Sequence, residues 1–240
     1  MKKEAVDLAR RSDVVLFFFG LNEKSETEGL DRKHLRIPQN QINLIQELAK
    51  ANANMVGIIS AGSVIEMPWH HHFKALLHTA LMGQAGAGAV LDILSGKVNP
   101  SGRLNETYPV YYKDTPAYAY YPSKERSSEY RESLYVGYRY YTTVEKTTRF
   151  PFGYGLSYTT FEYKDLKVDA EGVTFTIENT GNVTGVEVAQ LYIGKKSDTV
   201  FRPVRELKGF ARVELSSGQQ KEVRIPFDDK TFRFYDIRTD

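Results

Sequence analysis

The spacing of apolar residues changes once along this chain, and that change limits the possible folds more than any other feature. In the first half the apolar residues come in short unbroken runs, Asp13-Val-Val-Leu-Phe-Phe-Phe-Gly20 and Met55 to Ser60. Between them Ile42, Ile45, Leu48 and Ala49 recur at helical spacing over Gln39 to Ala53, with Pro38 suited to a first turn. Unbroken runs of this length predict strands covered on both faces, and strand, helix, strand in succession predicts a parallel α/β unit. Ala75 to Leu81 supplies a third strand in this reading, and Ala85 to Leu94 another helix. Ahead of the first strand, Lys3 to Arg10 places Ala5, Leu8 and Ala9 on one helical face.

After Phe161 the period becomes two. Val173, Phe175 and Ile177 alternate with polar residues, a turn follows at Asn179 to Gly185, and strands are expected at Val186 to Ile193, Leu207 to Leu215 and Gln220 to Phe227, with another beginning at Phe232 to Tyr235. Short strands at this spacing predict a β-sandwich. Such a sandwich takes about 100 residues and only about eighty remain, so its last hairpin is expected to be missing. Between the two halves most of the sixteen tyrosines gather among Pro109, Pro116, Pro122 and Pro151. The expected organisation is therefore a partial α/β sandwich over 1–107, an aromatic connector over 108–160 that packs domains together, and a β-sandwich over 161–240.

Composition narrows the function classes. Acids and bases are interspersed at a net charge of +2, with no basic stripe of the kind a nucleic-acid binder needs. There is no cysteine, which excludes disulfides and thiolate metal sites and suits a reducing cytoplasm. No apolar run approaches a membrane span, and residues 1–11 have no signal-like apolar core, so a cytoplasmic location is expected. His70-His71-His72 does not read as a metal site, because neighbouring side chains diverge and no i, i+4 pair completes them. The glycines from Gly83 to Gly88 lack the later Gly-Lys-Ser/Thr of a phosphate loop and suit close packing at a helix start.

The candidate chemistry lies in the connection from Leu21 to Ile37. Comparable loops run 2–6 residues, whereas this one is about seventeen residues long and sits at the carboxyl end of a parallel strand, where open α/β sheets bind ligands. It carries Glu23, Glu26, Glu28 and Asp31 among several cations.

Glu26-Thr27-Glu28-Gly29-Leu30-Asp31-Arg32, followed by Leu35, Pro38 and Gln41, resembles the acid/base loop of family 3 glycoside hydrolases of the β-glucosidase type. So do Gly62-Ser63 with Pro68-Trp69, Gly83 to Gly88, Asn99-Pro-Ser-Gly102, Tyr135 to Tyr138 and Phe150 to Ser157, in the family's order and across nearly the whole chain. The resemblance implies that this chain is the second half of the family's α/β sandwich domain followed by a fibronectin type III-like domain, incomplete at both ends. It places the acid/base on Glu28, with Glu26 as the alternative, and leaves the aspartate nucleophile on a barrel domain outside these residues. Asp31 and Arg32 either form a salt bridge that fixes the loop or line a sugar subsite. Trp69 either packs or stacks on a sugar ring.

The function so implied is that of a retaining exo-β-glycosidase acting on terminal β-D-glucosyl groups of a β-glucoside or oligosaccharide, with β-xylosidase or α-arabinosidase activity as the close alternative. Two carboxylates suffice for that chemistry, so no cofactor or metal is implied. The isolated chain is expected to be inactive without the barrel and to associate with itself through uncovered strand edges. A non-catalytic carbohydrate-binding module is the alternative from another class. A nucleotide- or flavin-binding α/β protein lacks its phosphate motif.

Overall fold

The computed structural model describes residues 2–194 and 200–235, which divide into two compact units. Among the described residues the first comprises 2–92, 106–141 and 145–152, and the second 93–105, 142–144, 153–194 and 200–235.

In the first unit helix α1 (Lys2–Arg10) leads into strand β1 (Val15–Gly20), helix α2 (Gln39–Ala51), strand β2 (Met55–Ser60) and strand β3 (Ala75–His78). The strands form a parallel sheet in the order β1-β2-β3, with Val15 opposite Met55 and Val56 opposite Ala75. Ala9, Leu48 and Met55 form a core against which Val15, Phe17 and Leu44 pack, so both helices are held to one face of β1. Two asparagines after α2 stitch the pieces together. Asn52 Nδ2 donates to the carbonyls of Ala9 and Ser12, satisfying acceptors that the end of α1 leaves open, and Asn54 Nδ2 donates to Asp13 O. Gly57 makes room in mid-strand: a Cβ there would meet Leu76 at 2.7 Å and the rings of Phe19 and Phe73 at 3.0 Å, and those rings stack with centroids 5.5 Å apart.

The expectation that β1 is covered on both faces is corrected. Leu16 and Phe18 are 49% and 59% exposed, and β1 lies at the edge of the described sheet. The third strand and the next helix are shorter than expected, ending at His78 and starting at Gly86 (α3, Gly86–Leu94).

The tyrosine-rich stretch is not a separate connector by contact. Strand β4 (Tyr108–Pro109) pairs antiparallel with β5 (Thr148–Phe150), and the residues between them, including helix α4 (Tyr138–Thr143), fold largely with the first unit. Tyr108, Tyr138 and Tyr141 are buried there as core residues.

The second unit contains two antiparallel sheets. One has the order β10-β7-β6, from β6 (Phe161–Val168), β7 (Gly172–Asn179) and β10 (Gln220–Pro226); the other pairs β8 (Gly185–Ile193) with β9 (Glu206–Leu215). Every second residue of β7 points inward, and Val173, Phe175 and Ile177 pack with Ala189, Val213, Leu215, Val223 and Ile225. Strand β6 is absent from the sequence expectation, and Phe232 to Tyr235 forms no strand.

Two of the motif segments act as staples in this unit. Asn99 Oδ1 accepts from Ser157 Oγ and Tyr158 N at 3.0 and 2.8 Å, while its Nδ2 donates to Thr184 O. Leu104 N donates to Tyr154 O at 2.8 Å and Leu104 O accepts from Gly153 N at 2.7 Å, and Arg103 pairs with Glu187 at 2.5 Å with both side chains largely shielded.

Candidate functional site

The parallel sheet of the first unit ends its three strands toward one set of loops. Gly20 closes β1 against Ser60 at the end of β2: a Cβ at Gly20 would fall 1.8 Å from Ser60 O. Only glycine lets the two strand ends approach this closely, and from them leave the loop 21–37 and the loop 61–66.

Residues 21–37 form a sequence of small turns. Asn22 opens the loop, its side chain accepting from Ser25 N and Oγ at 3.0 Å and its carbonyl from Glu26 N at 2.9 Å. A tight turn follows over Thr27–Leu30, closed by a single long hydrogen bond of 3.5 Å. Glu28 and Gly29 are its tip, and both are exposed. Glu28 makes no hydrogen bond among the described residues. An exposed carboxylate at the tip of a long loop beyond the carboxyl ends of parallel strands lies on the side where open α/β sheets bind ligands.

Glu26 is placed differently. Its Oε2 accepts from the backbone N–H of Gly62 at 2.8 Å and its Oε1 from Ser63 Oγ at 2.7 Å, so both oxygens are committed to the neighbouring loop. Arg32 reaches the same loop. Its Nη1 donates to Ser63 Oγ at 2.8 Å and to Val64 O at 3.0 Å, and its Nη2 is shielded from solvent with no hydrogen-bond partner among the described residues. Burial pulls the guanidinium below its ordinary value, an effect opposed by the charges of Glu26, Glu106 and Tyr108. Arginine remains a cation throughout.

Asp31 and Arg32 do not pair with each other, which corrects the salt bridge expected between them. Arg32 turns to Ser63 and Val64, while Asp31 meets Tyr121, whose hydroxyl it pushes above the usual tyrosine range through their hydrogen bond.

Three further polar groups border the cluster and carry no local sequence signal. Burial, aided by the charge of Glu26 and opposed by Arg32, raises the Glu106 carboxyl. Burial also raises the Tyr108 hydroxyl, which is hydrogen-bonded to His78 Nε2 at 2.6 Å, and lowers the imidazole of His78. A short link from Tyr112 N to Glu66 Oε1, at 2.5 Å, holds the loop after β2 to the tyrosine-rich segment.

Trp69 does not offer a face to a sugar. It is 2% exposed, set edge-on against Phe19 and Phe73 with centroids 4.9 and 5.8 Å away, so its work is core packing. His70–His72 forms one turn of 3-10 helix in which His70 Nδ1 lies 3.0 Å from Met67 O and Nε2 lies 3.3 Å from Arg149. Among the described residues no three His, Cys, Asp or Glu side chains gather as metal ligands would. At Gly86 a Cβ would strike Met82 at 2.1 Å, which explains that glycine by packing.

Residues 1–158 match the family model described as the glycosyl hydrolase family 3 C-terminal domain, and residues 187–240 match that of the fibronectin type III-like domain. The thermostable β-glucosidase B of Acetivibrio thermocellus is 43% identical over 98% of this chain, and an exo-α-(1→6)-L-arabinopyranosidase of Bifidobacterium breve is 42% identical over 98%. The crystal structure of a family 3 β-glucosidase from Bifidobacterium adolescentis superimposes with a TM-score of 0.95 at 40% identity, over 99% of this chain and 36% of that one. The chain spans 32% of the length of each of the first two relatives.

Proposed function

The chain belongs to glycosyl hydrolase family 3, and from that membership we propose that it supplies the acid/base half of a retaining β-glucosidase site, with Glu28 as the group that holds and returns the proton. Retaining hydrolysis needs two carboxyl groups about 5–5.5 Å apart, one as nucleophile and one that protonates the departing oxygen and then deprotonates water. The observation that carries the assignment to Glu28 is the division of labour in the loop. Glu26 has both oxygens occupied by Gly62 and Ser63, whereas Glu28 projects from the turn with its carboxylate uncommitted. In this reading the nucleophile comes from a segment outside these residues, and the chain spans 32% of the length of the β-glucosidase relative it matches.

β-Glucosides are the preferred substrate class, since relatives named as β-glucosidases match this chain at 43% and 40% identity and the superimposed crystal structure is that of a β-glucosidase. An α-L-arabinopyranoside is the second reading, favoured by the Bifidobacterium breve relative at nearly equal identity.

The test has two parts. The isolated chain, offered an aryl β-glucoside, is expected to give no turnover; turnover abolished by Glu28→Gln would mean that the nucleophile is within these residues. Joined to those parts of the Acetivibrio relative that lie outside the matched region, the chain is expected to hydrolyse the glucoside, and Glu28→Gln to lower kcat/KM on an alkyl glucoside about 10²–10⁴-fold, the range for loss of a general acid. An unchanged rate would remove Glu28 from the chemistry.

A further inference from the structure

Resting on the role proposed for Glu28, we infer that Glu26 and Arg32 are positioning residues, joined through Ser63 into a relay that sets where the tip carboxyl stands. The tip has little structure of its own: one long hydrogen bond closes the turn, and neither Glu28 nor Gly29 is buried. What fixes it is its two ends. Glu26 precedes the turn and Arg32 follows it, and both are tied to the same hydroxyl, which accepts from Arg32 Nη1 at 2.8 Å and donates to Glu26 Oε1 at 2.7 Å. A loop whose flanks meet at one side chain loses most of its freedom at the apex. Charge reinforces the arrangement, because the partly buried guanidinium and the Glu26 carboxylate attract each other across the serine.

The receiving loop is shaped for this. Gly62 presents its backbone N–H to Glu26 Oε2, and a Cβ on Gly62 would stand 3.1 Å from Oε1 and 3.2 Å from Leu81, so a side chain there would press on the carboxylate it has to receive. The loop is itself rooted in the parallel sheet through Ser60 and in the core through Ile65. Rigid sheet, short loop, serine and paired charges thus form an unbroken path from the fold to the proton donor. Displacement of a catalytic group by about 1 Å costs about 10²-fold in rate, so the relay has kinetic leverage without touching substrate.

A positioning role has a kinetic signature that a merely structural role lacks. In the full chain joined to the non-matching parts of the Acetivibrio relative, Ser63→Ala and Glu26→Gln are measured on two β-glucosides: a methyl glucoside, whose leaving group needs the proton, and a dinitrophenyl glucoside, whose leaving group does not. The expected result is a loss of about 10–100-fold in kcat/KM on the first and under about 3-fold on the second, with Ser63→Thr, which keeps the hydroxyl, recovering most of the loss. Arg32→Lys attacks the relay from its other end and is expected to show the same asymmetry if Ser63→Ala fails to fold. Equal losses on both glucosides, or no loss on either, would overturn the inference. Glu28→Ala run beside them separates the two levels: if it shows the asymmetry and the relay variants do not, only the relay is wrong, and if it shows none, the acid/base role falls as well.

Discussion

At the scale of single residues, similar side chains acquire different tasks from the donors around them. Glu26 and Glu28 are two positions apart on one loop, yet the first is spent on holding the loop to Gly62 and Ser63 while the second is left free. Trp69, whose ring could also have stacked on a sugar, is consumed by packing on Phe19 and Phe73. In the second unit Asn179 is fully buried and satisfies its whole amide: Oδ1 accepts from Thr159 Oγ1 and Gly181 N, and Nδ2 donates to the carbonyls of Val183 and Leu215. It thereby fixes the crossing from one sheet to the other. Asn179→Leu strips those partners of their bonds in a dry site and is expected to destabilise the unit by about 3 kcal/mol, read as a shift in urea midpoint with an unchanged slope. A loss below about 0.5 kcal/mol would mean that the turn holds without it.

At the scale of elements, legibility followed locality. Strands β2, β7, β8, β9 and β10 and helix α2 carry their periodicity in consecutive residues and lie within a few positions of where that pattern puts them. Strand β6 breaks its alternation at a bulge near Asp165, where the backbone turns to a φ of 54°, and most of its residues are exposed, so no period-two signal exists to read. The site divides in the same way. The loop and its carboxylates were visible as a compact string, but the relay through Ser63 and the approach of Glu106 and Tyr108 join residues far apart in sequence, and pairings of that kind leave no local mark. One such pairing gives a pH prediction. Asp169, in the turn between β6 and β7, accepts from Arg224 of β10 at 3.0 Å and from the N–H groups of Glu171 and Gly172, and Arg224 above all pulls it from 3.8 to about 2. A carboxyl lowered on folding contributes stability that is present above the unfolded value and is lost as pH falls through about 2. Asp169→Asn is therefore expected to melt at a lower temperature than the parent at pH 6 and to converge with it near pH 2. An equal gap at both pH values would assign the effect to something other than this charge.

At the scale of the whole molecule, the chain is a family member that spans about a third of its relatives' length. The outer face of β1 presents Leu16 and Phe18 on an edge strand, a combination that favours pairing with other chains. Leu16→Lys with Phe18→Lys is expected to shift the isolated chain toward monomer in sedimentation at micromolar concentration while leaving its melting temperature within about 2 °C; an unchanged distribution would place any association elsewhere. No helix among the described residues is long and apolar enough to cross a membrane. The central claim, that residue 28 exchanges the proton, is tested most directly by its replacement with alanine in the joined enzyme, followed by addition of azide. Azide can attack a glycosyl-enzyme without a general base, so turnover of an activated glucoside is expected to recover and the product to be the β-glucosyl azide. Failure of azide to raise the rate, or recovery confined to Glu26→Ala, would contradict it.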